Sequence, residues 1–97
     1  MSISSLTSSE VREKLAEIPD WELEGDALRR QFRFENFVEA FAFMTRVSEV
    51  AEALNHHPEW SNVYSLVVIK LTTHDVSGIS ERDFAFAKRV DRLVSDP

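Results

Sequence analysis

The chain has 97 residues, 43% of them apolar, with seven Phe, two Trp and one Tyr. That is one domain's worth of chain, residues 1–97, able to bury about 65% of its unfolded surface and too hydrophobic for disorder. Seventeen acidic against eleven basic residues leave a net charge of −6, which argues against a nucleic-acid partner, and the lack of cysteine excludes disulfides, Cys-ligated zinc, iron–sulfur clusters and thiol nucleophiles.

No apolar run approaches the ~20 residues of a membrane span. The opening MSISSLTSSE lacks the basic and apolar regions of a secretory signal. A cytoplasmic protein with no membrane partner is expected. Ser8 or Ser9 is a suitable cap for a first helix whose stripe is Val11, Leu15 and Ile18, stopped by Pro19. Two strands, Trp21–Glu24 and Ala27–Phe34, flank Gly25-Asp26, a two-residue loop that suits a type II′ hairpin. Leu28, Phe32 and Phe34 share one face of the second strand, with Arg29, Gln31 and Arg33 on the other.

From Asn36 the period becomes helical. Phe37, Phe41, Met44, Val47, Ala51 and Leu54 form a stripe that Ala40 and Val50 widen. The helix is predicted to end near Asn55, because Pro58 disfavours helical geometry at His57. Strands at Trp60–Tyr64 and Leu66–Thr73 follow; the second is β-branched and continuous enough to be central. Trp60 and Tyr64 read most simply as core aromatics. Gly78 breaks the chain, and Ser80 caps a last helix with Asp83 in capping-box position and Phe86, Val90 and Leu93 inward. The order αββαββα gives an α+β fold: a four-stranded, largely antiparallel sheet with three helices on one face. The apolar surface of the long helix exceeds what one sheet contact needs. A homotetramer built on it is therefore expected, a homodimer being the smaller assembly that would remain without this contact, with the small residues Ala40, Ser48 and Ala51 letting a neighbour approach and Met44 or Val47 as positions for testing the contact.

All three histidines, His56, His57 and His74, fall within nineteen residues. Glu52 stands one helical turn before His56 and can reach it. Imidazoles at element ends with an acid to orient one of them suit proton transfer near neutral pH. Each residue also has a plainer reading: His56 as a favourable charge on a helix C-terminus, Asp83 as a cap. A zinc site is the sharper rival, implying a metal-dependent hydrolase. Adjacent helical histidines diverge by roughly 100°, and no i, i+4 ligand pair is present, so no metal is expected. Nucleophile elbows and phosphate-binding loops need glycines the chain lacks.

Glu52-Ala-Leu-Asn-His56-His57-Pro58, five residues, Tyr64, nine residues, His74, eight residues, Asp83 resembles the signature of the pterin-4a-carbinolamine dehydratases. The likeness runs from Trp21 through FAFMTRV (41–47), NHHPEWSNVY (55–64) and LTTHD (71–75) to SERDFAFA (80–87). Asn55 and Asp75 stand where other members carry Asp and Glu. The resemblance implies a hydro-lyase that turns 4a-hydroxytetrahydropterin into quinonoid dihydropterin in tetrahydrobiopterin recycling, without metal or redox cofactor. It implies His56, His57 and His74 as catalytic groups that also contact the pterin, with Glu52 supporting an imidazole. Asn55, Thr72, Thr73 and Asp75 would line the substrate site, and Asp83 and Trp21 are further site candidates. It also implies a functional link to an aromatic amino acid hydroxylase. The alternative is a non-catalytic dimerisation module, a transcriptional cofactor, which would need the helical interface but not three histidines.

Overall fold

The computed structural model describes residues 4–95. The first helix, α1, spans Ser8–Leu15 and is capped by Thr7 instead of Ser8 or Ser9. Thr7 Oγ1 accepts the Glu10 N–H at 3.2 Å while Glu10 Oε1 accepts the Thr7 N–H at 2.8 Å. This reciprocal box needs an acid three residues after the cap. From Ser8 or Ser9 that position holds Val11 or Arg12, so only Thr7 can close it. Ile18 lies past the helix, in a turn closed by its N–H to Leu15 O at 3.0 Å, and is fully buried.

Strands β1 (Glu22–Glu24) and β2 (Ala27–Arg33) pair from Glu24–Ala27 outward. Of the two loop residues only Gly25 takes positive φ, +59°, as a II′ loop requires. Helix α2 (Phe37–Leu54) begins at the Asn36 cap. Strands β3 (Glu59–Val63) and β4 (Leu66–Leu71) form the second hairpin. A single 3₁₀ turn, His74–Val76, leads to α3 (Glu81–Ser95). The sheet order is β1-β2-β4-β3, antiparallel throughout, with β4 central as its β-branched run predicts. Tyr64 is not a core residue: it sits in the β3–β4 turn with φ +50° and is exposed.

Register decides the faces. Leu28–Leu71, Arg30–Ile69 and Phe32–Val67 are opposed pairs, and Val67, Ile69 and Leu71 are fully buried under the helix layer. α2 and α3 pack against β4 and each other, and Val11 of α1 joins the same hydrophobic cluster. Alternation puts Arg30 on this inward face, so its charge needs a partner there. Asp91 of α3 supplies one at 2.6 Å and also accepts the Trp21 Nε1–H at 2.7 Å. The guanidinium lies 4.5 Å from the Phe32 ring centroid, within cation–π range.

The apolar stripe of α2 divides. Ala40, Phe43, Val47, Val50 and Ala51 are buried within this chain, so Ala40, Val47 and Ala51 serve its own core and Met44 is partly buried against it. Phe43, absent from the predicted stripe, stacks at 4.8 Å on Phe32 and 4.9 Å on Phe34. Phe37, Val38 and Phe41 remain exposed, at 46%, 76% and 54%, which locates the surplus apolar surface at the head of the helix. Among the described residues no helix is long and apolar enough to cross a membrane.

Candidate active site

The end of α2 separates the two adjacent histidines. Asn55 is left-handed, φ 50° and ψ 47°, a conformation Asn tolerates better than most residues. His56 N–H then reaches back to Ala51 O at 3.0 Å and Asn55 N–H to Glu52 O at 3.3 Å, the two bonds of a Schellman closure. Because the helix stops there, Glu52 and His56 do not share a helical face as the i, i+4 spacing predicts. Glu52 Oε2 instead meets His57 Nε2, at 2.7 Å on the surface. His56 turns inward, 8% exposed, with its ring edge-on to Phe86 at 6.2 Å.

The partner of His56 is Asp83, Nε2 to Oδ1 at 2.6 Å. Asp83 is fully buried, and its other oxygen accepts from Thr73 Oγ1 at 2.8 Å and from the Ser80 N–H at 2.9 Å. It is therefore both the cap of α3 and the anchor of an imidazole. Past β4, Thr73 bridges to Gly78, its N–H to Gly78 O at 2.8 Å, and Thr72 Oγ1 donates to Asp26 O at 2.8 Å. These bonds fix the loop that carries His74, whose Nε2 lies 3.8 Å from Glu59 Oε2 on β3.

An open cleft lies between these segments. Asn55, His56 and His57 form one wall and Thr72 to Asp75 another, with Arg82 from the first turn of α3 beside them. All three histidines thus converge, each within reach of a carboxylate: Asp83, Glu52 and Glu59 respectively. Glu52 stands behind His57 outside the cleft lining, and Asp83 lies beneath it. Trp21 is elsewhere, 5% exposed and edge-on to Phe32 at 6.0 Å, so it belongs to the core. Sequence reasoning missed Arg82; its place next to the capping Asp83 is the signal that could have found it. Among the described residues no three His, Asp or Glu side chains form a metal-ligand set. What the cleft offers is three imidazole rings, the Arg82 side chain and the hydroxyl, amide and carboxylate groups of its walls.

Residues 4–93 match the family model for pterin 4 alpha carbinolamine dehydratase. The chain belongs to that family. A Prochlorococcus marinus (strain MIT 9303) protein, provisionally named a pterin-4-alpha-carbinolamine dehydratase, is 54% identical over 93 residues, covering 96% of this chain and 97% of its own length. The crystal structure of a transcriptional coactivator/pterin dehydratase from Brucella melitensis superposes with TM-score 0.88 at 38% identity, over 93% of this chain and 98% of that one. A pterin dehydratase-like protein identified as a RuBisCO assembly factor in the alpha-carboxysome is more distant, with TM-score 0.64 and 26% identity over 79% of this chain and 89% of its own.

Proposed function

We propose that the protein dehydrates 4a-hydroxytetrahydropterin to quinonoid dihydropterin, with His56, His57 and His74 as its acid–base groups. The observation that carries this reading is the convergence of the three imidazoles on one cleft in a chain of this family. In the reaction the N5 lone pair forms the C4a=N5 bond as the C4a–O bond breaks. Hydroxide is a poor leaving group (water has a pKa near 15.7), so the oxygen must be protonated and depart as water. N5 then gives up its proton. One group must donate and one must accept, and imidazoles work as either near neutral pH. Glu52, bonded to His57, holds that ring in orientation. Asn55, Thr72, Asp75 and Arg82 supply the polar contacts that would hold the pterin, whereas Thr73 is buried with its hydroxyl committed to Asp83 and Ser80.

On this reading the protein acts in the cytoplasm, downstream of a hydroxylase that oxidises tetrahydropterin at C4a. Stopped-flow measurement of freshly generated 4a-hydroxytetrahydropterin tests it: dehydration should rise in proportion to protein concentration above the spontaneous rate. A rate equal to that of buffer alone would refute the activity.

The exposed Phe37–Phe41 pair, ring centroids 5.7 Å apart, favours a homo-oligomer joined through the head of α2, since contiguous apolar surface marks interaction sites. This surface serves the alternative reading, a dimerisation module, equally well and lies apart from the histidines. Phe41→Glu should lower the mass seen by sedimentation while dehydration continues. Sedimentation of the unaltered protein as an 11.2 kDa monomer at micromolar concentration would refute the assembly.

A further inference from the structure

The buried hydrogen bonds beneath the cleft specify which atom of His56 handles the proton. Asp83 Oδ2 already accepts two donors, Thr73 Oγ1–H and Ser80 N–H, at 2.8 and 2.9 Å. Thr73 has one hydroxyl proton and gives it to Asp83. The 2.7 Å contact between Thr73 Oγ1 and Ser80 Oγ must then use the serine proton, and Ser80 Oγ in turn accepts the Arg82 N–H at 3.2 Å. Donors therefore run in one direction, from Ser80 to Thr73 to Asp83. An ionised carboxylate is an acceptor only, so Oδ1 takes a third proton from His56 Nε2 at 2.6 Å. Nε2–H is then fixed as a donor, and a neutral ring must leave Nδ1 unprotonated. Nδ1 has no protein partner among the described residues. No buried side-chain nitrogen or oxygen there lacks one, so Nδ1 is not sealed in. The ring lines the cleft, and Nδ1 is its remaining polar atom.

We infer that Nδ1 of His56 is the atom that exchanges a proton with substrate, and that Asp83 is a positioning residue that holds the ring in the Nε2–H tautomer. Thr73 and Ser80 act one step further back, by keeping both carboxylate oxygens pointed as acceptors. Nδ1 takes the N5 proton of the substrate, giving an imidazolium whose Nε2–H still faces Asp83; another of the cleft's imidazoles protonates the leaving oxygen, and Nδ1 gives its proton to solvent before the next turnover. The Asp83 carboxylate, hydrogen-bonded to Nε2–H, stabilises the cationic ring. This inference rests on the dehydratase reading, but it makes a claim about the ring that can be examined without turnover.

Asp83→Asn tests it sharply. The amide oxygen is required where Oδ2 stood, because two donors converge there, and this turns the amide NH₂ toward His56. Nε2 must then accept, the proton moves to Nδ1, and the cleft loses its acceptor. In the unaltered protein, two-bond ¹H–¹⁵N correlation spectra should show His56 with a protonated Nε2 and an unprotonated Nδ1. In Asp83→Asn the two types should exchange, with kcat down by roughly 10²–10⁴-fold and KM changed far less. An Nδ1–H tautomer in the unaltered protein overturns the inference and needs no variant that folds. A folded Asp83→Asn with unaltered kcat also overturns it. Dehydration by the unaltered protein is measured first, so failure of the pterin reading is seen separately from failure of the tautomer assignment.

Discussion

Asn55→Ala should destabilise the protein, and Asn55→Gly should not. Asn55 holds φ 50° and ψ 47° at the end of α2, where a Cβ-bearing residue crowds its own carbonyl at a cost of about 1–2 kcal/mol. Asn recovers part of that cost through local polar contacts, and glycine has no Cβ to crowd. Alanine meets it in full unless the Schellman bonds from His56 and Asn55 break. Against Asn55→Gly, a deficit of about 1–2 kcal/mol for Asn55→Ala is a factor of roughly 5–30 in the folded-to-unfolded ratio, and the loss against the unaltered protein is the smaller share that Asn recovers. At about 4–8 °C per kcal/mol for a domain of this size the deficit against Asn55→Gly is roughly 4–16 °C in Tm. Urea unfolding of both variants, with circular dichroism as the probe, reads the difference directly. The same pair separates backbone from side chain in function. Asn55→Gly keeps the turn that sends His56 inward and His57 outward but removes the amide from the cleft, so it should raise KM without loss of stability. Asn55→Ala as stable as Asn55→Gly would refute the claim that the left-handed turn, and through it the divergence of the two histidines, depends on this residue.

His56→Ala and His74→Ala should each lower turnover by roughly 10²–10⁴-fold if each transfers a proton, measured after subtracting spontaneous dehydration; a near-normal rate removes that residue from the mechanism. Asp91→Ala should cost about 1–3 kcal/mol in urea unfolding, because it strips both the inward-facing Arg30 and Trp21 Nε1 of their acceptor. An unchanged urea midpoint would mean that Asp20, 3.7 Å from Arg30, or water takes over as its partner. Stability should fall in acid: Thr7's backbone N–H holds the Glu10 carboxyl below its ordinary 4.5, and hydrogen bonds from Lys88 and Lys70 do the same for Glu17 and Glu24. Carboxyls depressed in the fold bind protons more readily when the chain is unfolded, so their contribution is whole above 4.5 and lost as pH falls through the lower folded values. Urea midpoints that do not decline between about pH 5.5 and pH 3 would contradict this.

The sequence by itself carried the element order, the central place of β4, the Gly25-Asp26 turn and the cluster of three histidines. These are local properties: hydrophobic period, turn chemistry and spacing act over a few residues, and each is written in consecutive letters. Side-chain pairings were another matter. Spacing assigned Glu52 to His56, yet the left-handed Asn55 stops the helix and hands Glu52 to His57. His56 goes to Asp83, 27 residues away. Asp83 reads as a cap along the chain, and only the packing of α3 over the end of α2 gives its second oxygen an imidazole to hold. The Phe37–Leu54 stripe likewise reads as one apolar face, because periodicity reports which residues are hydrophobic and not what covers them. The packing of α2 on the sheet and on α3 took Val47, Ala51 and the unforeseen Phe43 into the core and left Phe37 and Phe41 outside. Arg30 shows the same limit: alternation turned it inward, and a carboxylate 61 residues away made that place tolerable. Partners distant along the chain are selected by how layers stack, and stacking is a property of the whole fold.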